Sequence, residues 1–195
     1  MRRDRVLSER LSGRVHGAIL GLVMLLAAGC GGRETSPPPV VYLQETDSGQ
    51  SHLFVRDPGD GTSRQLTGLS DPAAYQVTDF AVSPDGEQIA YATLHRDGRT
   101  EIRILPAGGD ERDGTFGPLA CPAAEAECAW PVWSPDGRLL YERRELEDGL
   151  PGSPRLFWID PTTSQTQPLI AGNRDPSYGA RFSPDGRWLS YVSPA

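Results

Sequence analysis

Three carboxylates stand in the same surroundings. Asp85, Asp136 and Asp185 are each the third residue of Ser-Pro-Asp-Gly, at Ser83-Pro84-Asp85-Gly86, Ser134-Pro135-Asp136-Gly137 and Ser183-Pro184-Asp185-Gly186. Recurring carboxylates could act as general acids and bases, or as ligands for a hard cation. Their context supplies a plainer role. Pro sets φ for the first corner of a tight turn, Asp bonds back to local backbone at the second, and Gly takes the positive φ that closes it. The Asp-x-Asp-x-Asp-Gly spacing of a calcium loop is absent, and Asp57-Pro58-Gly59-Asp60-Gly61 reads as one more turn. No Gly-x-Ser-x-Gly elbow occurs, neither His52 nor His95 has a Ser and Asp context for a triad, and no phosphate-cradling Gly loop is present. All 19 basic residues are Arg, so Schiff-base and lysine-nucleophile chemistry are excluded. These residues predict no catalytic centre, no cofactor and no metal site.

Two further sets of residues could carry chemistry. Trp130, Trp133, Trp158 and Trp188 could line a sugar-binding face, although at strand positions aromatic residues more often pack between layers. Cys121 and Cys128 enclose a small polar loop, Pro122-Ala123-Ala124-Glu125-Ala126-Glu127. A disulfide is the expected state, with two free thiols or half of a metal site as alternatives.

The elements that must position these residues repeat along the chain. An apolar or aromatic residue precedes each Ser-Pro-Asp-Gly, and a short apolar run ending in Tyr follows it, which is the pattern of a β-hairpin. Tyr42, Tyr91, Tyr141 and Tyr191 are 49, 50 and 50 residues apart. After the Tyr come a polar turn and an alternating strand: His52-Leu53-Phe54-Val55-Arg56, Glu101-Ile102-Arg103-Ile104-Leu105 and Arg155-Leu156-Phe157-Trp158-Ile159. A second turn leads to a weaker strand, clear at Ser63–Thr67 and Gln165–Ile170 and poor at Gly114–Leu119. With Gly and Pro numbering 22 and 18, helices are disfavoured and turns are plentiful. Four short antiparallel strands recurring every 50 residues predict an all-β chain, a β-propeller of four-stranded blades with about three blades' worth present.

The middle copy departs from this phase. Gly137 lies four residues before Tyr141, whereas Gly86 and Gly186 lie five before theirs. A one-residue slip turns every side chain to the opposite face. A bulge is expected to restore the phase; otherwise Glu142 takes a place that should be apolar.

The pattern apolar-Ser-Pro-Asp-Gly, the apolar run to Tyr, Asp-Gly, Leu-Phe-Val-x-Asp and Arg-x-Leu-Thr resembles the WD40-like PD40 repeat of TolB-type propellers, over residues 40–195. The resemblance implies a non-enzymatic protein-interaction scaffold. The same repeat occurs in the propellers of prolyl-oligopeptidase-like enzymes, so the alternative is the front of an exported hydrolase whose catalytic domain is absent; a carbohydrate-binding propeller is a third reading. Propellers of this kind have about six or more blades. The first unit here lacks its entering strand and the last stops after its second. The favoured reading is a fragment of a longer protein, the others being a half-propeller that oligomerises and an open three-blade stack. Open blade edges would favour self-association.

The amino terminus supplies the address. Arg2, Arg3, Arg5, Arg10 and Arg14 precede Ala18–Ala28, an apolar run of eleven residues where a spanning helix needs roughly 20. Leu26-Ala27-Ala28-Gly29-Cys30 resembles the lipobox of bacterial lipoproteins, with Ala27 in the place usually held by Leu. That resemblance implies a signal peptide over 1–29, lipidation at Cys30 and anchoring to a membrane through the lipid. Residues 30–39 read as a Gly- and Pro-rich tether. Gly31 after the Cys implies passage toward an outer membrane, and so a periplasmic or outer-membrane location. Beyond residue 29 the chain carries 14 basic and 24 acidic side chains, a net charge of −10, which argues against nucleic acid as a partner. A protein partner is expected.

Overall fold

A computed structural model describes residues 37–112, 119–121, 125–172 and 174–194. The segment read as a signal peptide, Cys30 and most of the tether lie outside the described residues.

The described chain is all-β and meanders through four antiparallel sheets. The first holds β1 (Val40–Glu45), β2 (Ser51–Arg56) and β3 (Ser63–Gln65). The second holds β4 (Tyr75–Val82), β5 (Gln88–His95) and β6 (Thr100–Pro106). The third runs β7 (Ala126–Trp133), β8 (Leu139–Glu147), β10 (Arg155–Ile159), β11 (Thr166–Pro168), with β9 (Leu150–Pro151) paired to the end of β8. The fourth is the hairpin of β12 (Tyr178–Phe182) and β13 (Leu189–Val192). Each Ser-Pro-Asp-Gly joins the first two strands of a sheet, so among the described residues the first sheet begins at its second strand and the last ends there. The weak fourth strand of the second sheet is reduced, among the described residues, to a bridge in which the Ile102 N–H donates to Ala120 O at 3.1 Å.

Stacking of the sheets explains the apolar pattern. Successive residues of a strand face opposite ways. On β5, Ile89 and Tyr91 join Leu53, Leu66, Val77 and Leu105 between the first two sheets. Ala90 and Ala92 turn the other way and meet Ile102, Trp133, Leu139 and Tyr141 between the second and third. Leu140 faces on again, to Leu156 and Ala180. A strand flanked by two neighbouring sheets is thus apolar on both faces, the arrangement by which propeller blades bury one another. The last sheet has a neighbour on one side within the described residues, and Trp188 there is 71% exposed.

The missing residue of the middle copy is absorbed in the turn rather than by a compensating bulge. The Ser83 and Ser183 N–H groups close four-residue loops onto Gln88 O and Trp188 O, whereas Ser134 N–H closes a three-residue loop onto Arg138 O. Leu139-Leu140-Tyr141 therefore stays in phase with Ile89-Ala90-Tyr91. A register shift does occur on β7, between Ala129 and Val132, but β4 and β12 carry one at the same level, so it belongs to the repeat. Glu142 nevertheless occupies the inward place held by Ala92 in the preceding copy. It is buried, and its carboxylate accepts the Gly179 N–H at 2.7 Å, which ties β8 to β12.

Candidate functional site

The three turns are built alike. Each Ser hydroxyl donates to the turn Asp, at 2.5 Å for Ser83–Asp85 and 2.6 Å for Ser183–Asp185, and Ser134 does the same to Asp136. The same hydroxyls accept the N–H of Gln88, Arg138 and Trp188 at 2.9, 2.9 and 3.0 Å. Asp85 and Asp185 also accept the N–H of Glu87 and Arg187, while Asp136 pairs with Arg138 Nε at 2.9 Å. The hydroxyl bond, with these other donors, holds all three carboxyls below the usual carboxylate range. They remain ionised at neutral pH, which suits a turn and makes them poor proton donors.

Cys121 and Cys128 are bridged, with Cα atoms 6.1 Å apart. The bridge ties the segment that pairs with β6 to the first strand of the third sheet, where the Cys128 N–H also donates to Thr100 Oγ1 at 2.6 Å. The tryptophans divide into two kinds. Trp133 is buried, and its indole N–H donates across sheets to Ala81 O at 3.0 Å. Trp158 stacks under the Arg138 guanidinium at 4.3 Å and leans on Phe182. Trp130 and Trp188 are exposed, and Trp130 has φ +55°, a left-handed conformation rare for an aromatic residue.

A polar cleft of about 260 Å³ between the first two sheets was not legible in the sequence. Glu111, beyond the turn that follows β6, reaches back to the segment after β3. Its carboxylate accepts the N–H groups of Gly68 at 2.8 Å, of Leu69, and of Ser70 at 3.3 Å, together with the Tyr75 hydroxyl. Tyr75 lies between two imidazoles, with ring centroids 5.4 Å from His52 and 5.6 Å from His95. His52 is fully buried, with Nε2 2.9 Å from Pro72 O and Nδ1 3.3 Å from Thr67 Oγ1. Gly68, at φ +71°, has no room for a side chain, because a Cβ there would fall inside the His52 ring. Burial pushes both phenols in the cleft up, Tyr91 to about 12 and Tyr75 further. Neutral phenols, a carboxylate saturated with donors and a doubly engaged imidazole form a clasp between sheets; the arrangement orients no nucleophile toward a base. Among the described residues no group of three or more His, Cys, Asp or Glu side chains is placed to hold a metal ion.

No protein-family model and no curated protein matches the sequence. Solved structures do match the fold. TolB from Acinetobacter baumannii aligns at TM-score 0.55 and 23% identity over 80% of this chain and 36% of its own. The tricorn protease aligns at TM-score 0.57 and 18% identity over 80% of this chain and 14% of its own. A prolyl endopeptidase aligns at TM-score 0.53 and 18% identity over 80% and 24%. The chain therefore spans little more than a third of the length of TolB, about a quarter of the prolyl endopeptidase and about a seventh of the tricorn protease. At such identities the likeness establishes architecture alone: the described residues have a TolB-like β-propeller fold.

Proposed function

We propose that the protein is a lipid-anchored propeller of the cell envelope that acts as a non-enzymatic protein-interaction scaffold. The observation that carries this reading is the commitment of the recurring carboxylates to their turns. What the repeat presents outward is a row of similar hairpin turns on stacked sheets, a surface for contact rather than for chemistry. The fold likeness to TolB supports it. Acylation at Cys30 and the tether at 30–39 would hold that surface near a membrane, because each buried methylene contributes about 0.8 kcal/mol and two or three chains anchor durably. Among the described residues β1 and β13 are edge strands, and such edges would also allow self-association.

Chemical crosslinking in intact cells, followed by mass spectrometry, should join the chain reproducibly to a protein partner. Hydrolytic or lyase turnover by residues 40–195 would refute the scaffold reading. Cys30→Ser should move the protein from the membrane to the soluble fraction, and continued sedimentation with membranes would refute the anchor.

The likeness to the tricorn protease and a prolyl endopeptidase favours one second reading, the propeller portion of an exported hydrolase. DNA sequence downstream of Ala195 separates the two. Further blades and then a Gly-x-Ser-x-Gly segment would establish the hydrolase, and an immediate stop codon would exclude it. Exposed Trp130 and Trp188 leave a carbohydrate-binding surface as a minor reading, tested by loss of glycan binding in Trp130→Ala.

A further inference from the structure

Consecutive Ser-Pro-Asp-Gly turns meet in two different ways. Between the second and third turns the fit is closed, because a Cβ on Gly186 would fall inside the Pro135 ring. Between the first and second turns the corresponding place is open, and a Cβ on Gly137 would meet no heavy atom within 4 Å. Loop length accounts for the difference. Pro135-Asp136-Gly137 is one residue shorter than its neighbours, so it stops short of Pro84. A groove of about 290 Å³ is left, lined by Pro84 and Pro135, the nearly buried Trp133, and the carboxylates of Asp85 and Asp136.

The two carboxylates are not equivalent. Asp136 is neutralised by Arg138 at 2.9 Å. Asp85 takes only hydrogen-bond donors, the Ser83 hydroxyl and the Glu87 N–H, and no ion pair to it occurs among the described residues. Apolar walls with one uncompensated carboxylate suit a long side chain that is apolar along its stem and cationic at its head. The net charge of −10 beyond residue 29 would draw basic segments toward the protein as a whole.

We propose that the groove between the first and second turns is a docking site for a basic side chain, arginine or lysine, presented by a protein partner. The proline rings cover the methylene stem, and Asp85 pairs with the head group. This inference rests on the scaffold reading and names the chemistry of its partner.

The test is a titration of the ¹⁵N-labelled full chain with N-acetyl-arginine methylamide at low ionic strength, with the uncharged citrulline analogue as control. The Gln88 and Gly137 amides and the Trp133 indole N–H should shift saturably, with Kd on the order of 10 mM for so small a probe. Citrulline should bind about tenfold more weakly, since the charge-assisted bond is lost. Asp85→Asn keeps an acceptor in the turn and should weaken arginine by a similar factor. Inserting one Ser between Gly137 and Arg138 restores a four-residue loop, fills the groove and should abolish the shifts. Equal binding of citrulline, or arginine shifts indifferent to both changes, would overturn the assignment. A partner crosslinked equally to the wild type and to the Ser-insertion chain would overturn the groove and leave the scaffold reading standing. Arginine binding without any crosslinked protein would overturn the scaffold reading and the protein source of the side chain together.

Discussion

The joint between the first and second sheets and the joint between the second and third arise from one repeat, yet they are fastened differently. Both bury an apolar layer supplied by the alternating strands. The first adds a reversible polar clasp, in which Glu111 grips three backbone N–H groups and Tyr75 while loop residues wrap His52. The second adds the Cys121–Cys128 bond and the indole bond of Trp133 to Ala81. Hydrogen bonds can open and re-form under thermal motion, whereas a disulfide holds until a reductant arrives. The repeat thus specifies each sheet, and most of the fasteners between sheets come from residues that do not repeat.

The comparison breaks most readily at Gly68. Gly68→Ala forces a Cβ into the His52 ring, which is fully buried and held at both nitrogens, and strains a φ of +71°. Overpacking and left-handed strain together should cost about 4 kcal/mol in urea unfolding. A cost under about 1 kcal/mol would show that the clasp yields easily and contributes little to the joint.

Leu139→Ala probes the second joint in the same terms. Leu139 is fully buried in the layer between the second and third sheets, so its truncation should cost about 3 kcal/mol. If it costs more than Gly68→Ala, packing outweighs the clasp, and the contrast between the joints lies in the apolar layer after all.

Much of the contrast could not be read from the chain. The Tyr spacing and the Ser-Pro-Asp-Gly turns are local patterns, and the hairpins they imply are present as β4–β5, β7–β8 and β12–β13, with the alternating strands after the Tyr as β2, β6 and β10. Loop length decided the phase of the middle copy, and periodicity alone does not distinguish a shortened loop from a bulged strand. Glu111 lies 42 residues from Leu69 and carries no motif, so only the folded chain shows that the two meet. Glu142 was legible as an oddity, a carboxylate at an inward position, but its partner is a backbone N–H, and backbone leaves no mark on composition.

The staple sharpens the comparison next. The bond closes eight residues, and on the chain-entropy estimate it contributes about 2.5 kcal/mol. Reducing it, or replacing both cysteines with serine, should lower stability by about that amount. Hydrogen exchange should then rise at the Cys128 and Ile102 amides before it rises at Leu66. Loss of protection in the first joint at the same time would mean that the two joints unfold as one unit. Mass spectrometry without reductant should show the two cysteine peptides linked, and two free thiols would remove the staple from the comparison.

The smallest effect is electrostatic and belongs to the first joint. Asp110 accepts the Arg112 N–H at 2.8 Å, pairs with its guanidinium at 2.7 Å, and lies 3.8 Å from Arg64 of β3. The Arg112 bonds, foremost, hold its carboxyl down at about 2, against an ordinary value of 3.8. A carboxyl depressed in the folded state stabilises fully above its unfolded pKa, and that contribution is lost as pH falls from about 4 to about 2. The bridged cysteines of the second joint have no proton to exchange in that window. Acid should therefore loosen the first joint ahead of the second. The thermal midpoint of Asp110→Asn should lie slightly below wild type at pH 6 and converge with it by pH 2. The Glu111 amide, bonded to Leu66 O at 3.0 Å, should lose exchange protection over the same interval while Cys128 keeps its own. A midpoint difference that stays constant from pH 6 to pH 2 would show that Asp110 does not titrate with folding, and the first joint would then be reversible without being acid-sensitive through this pair.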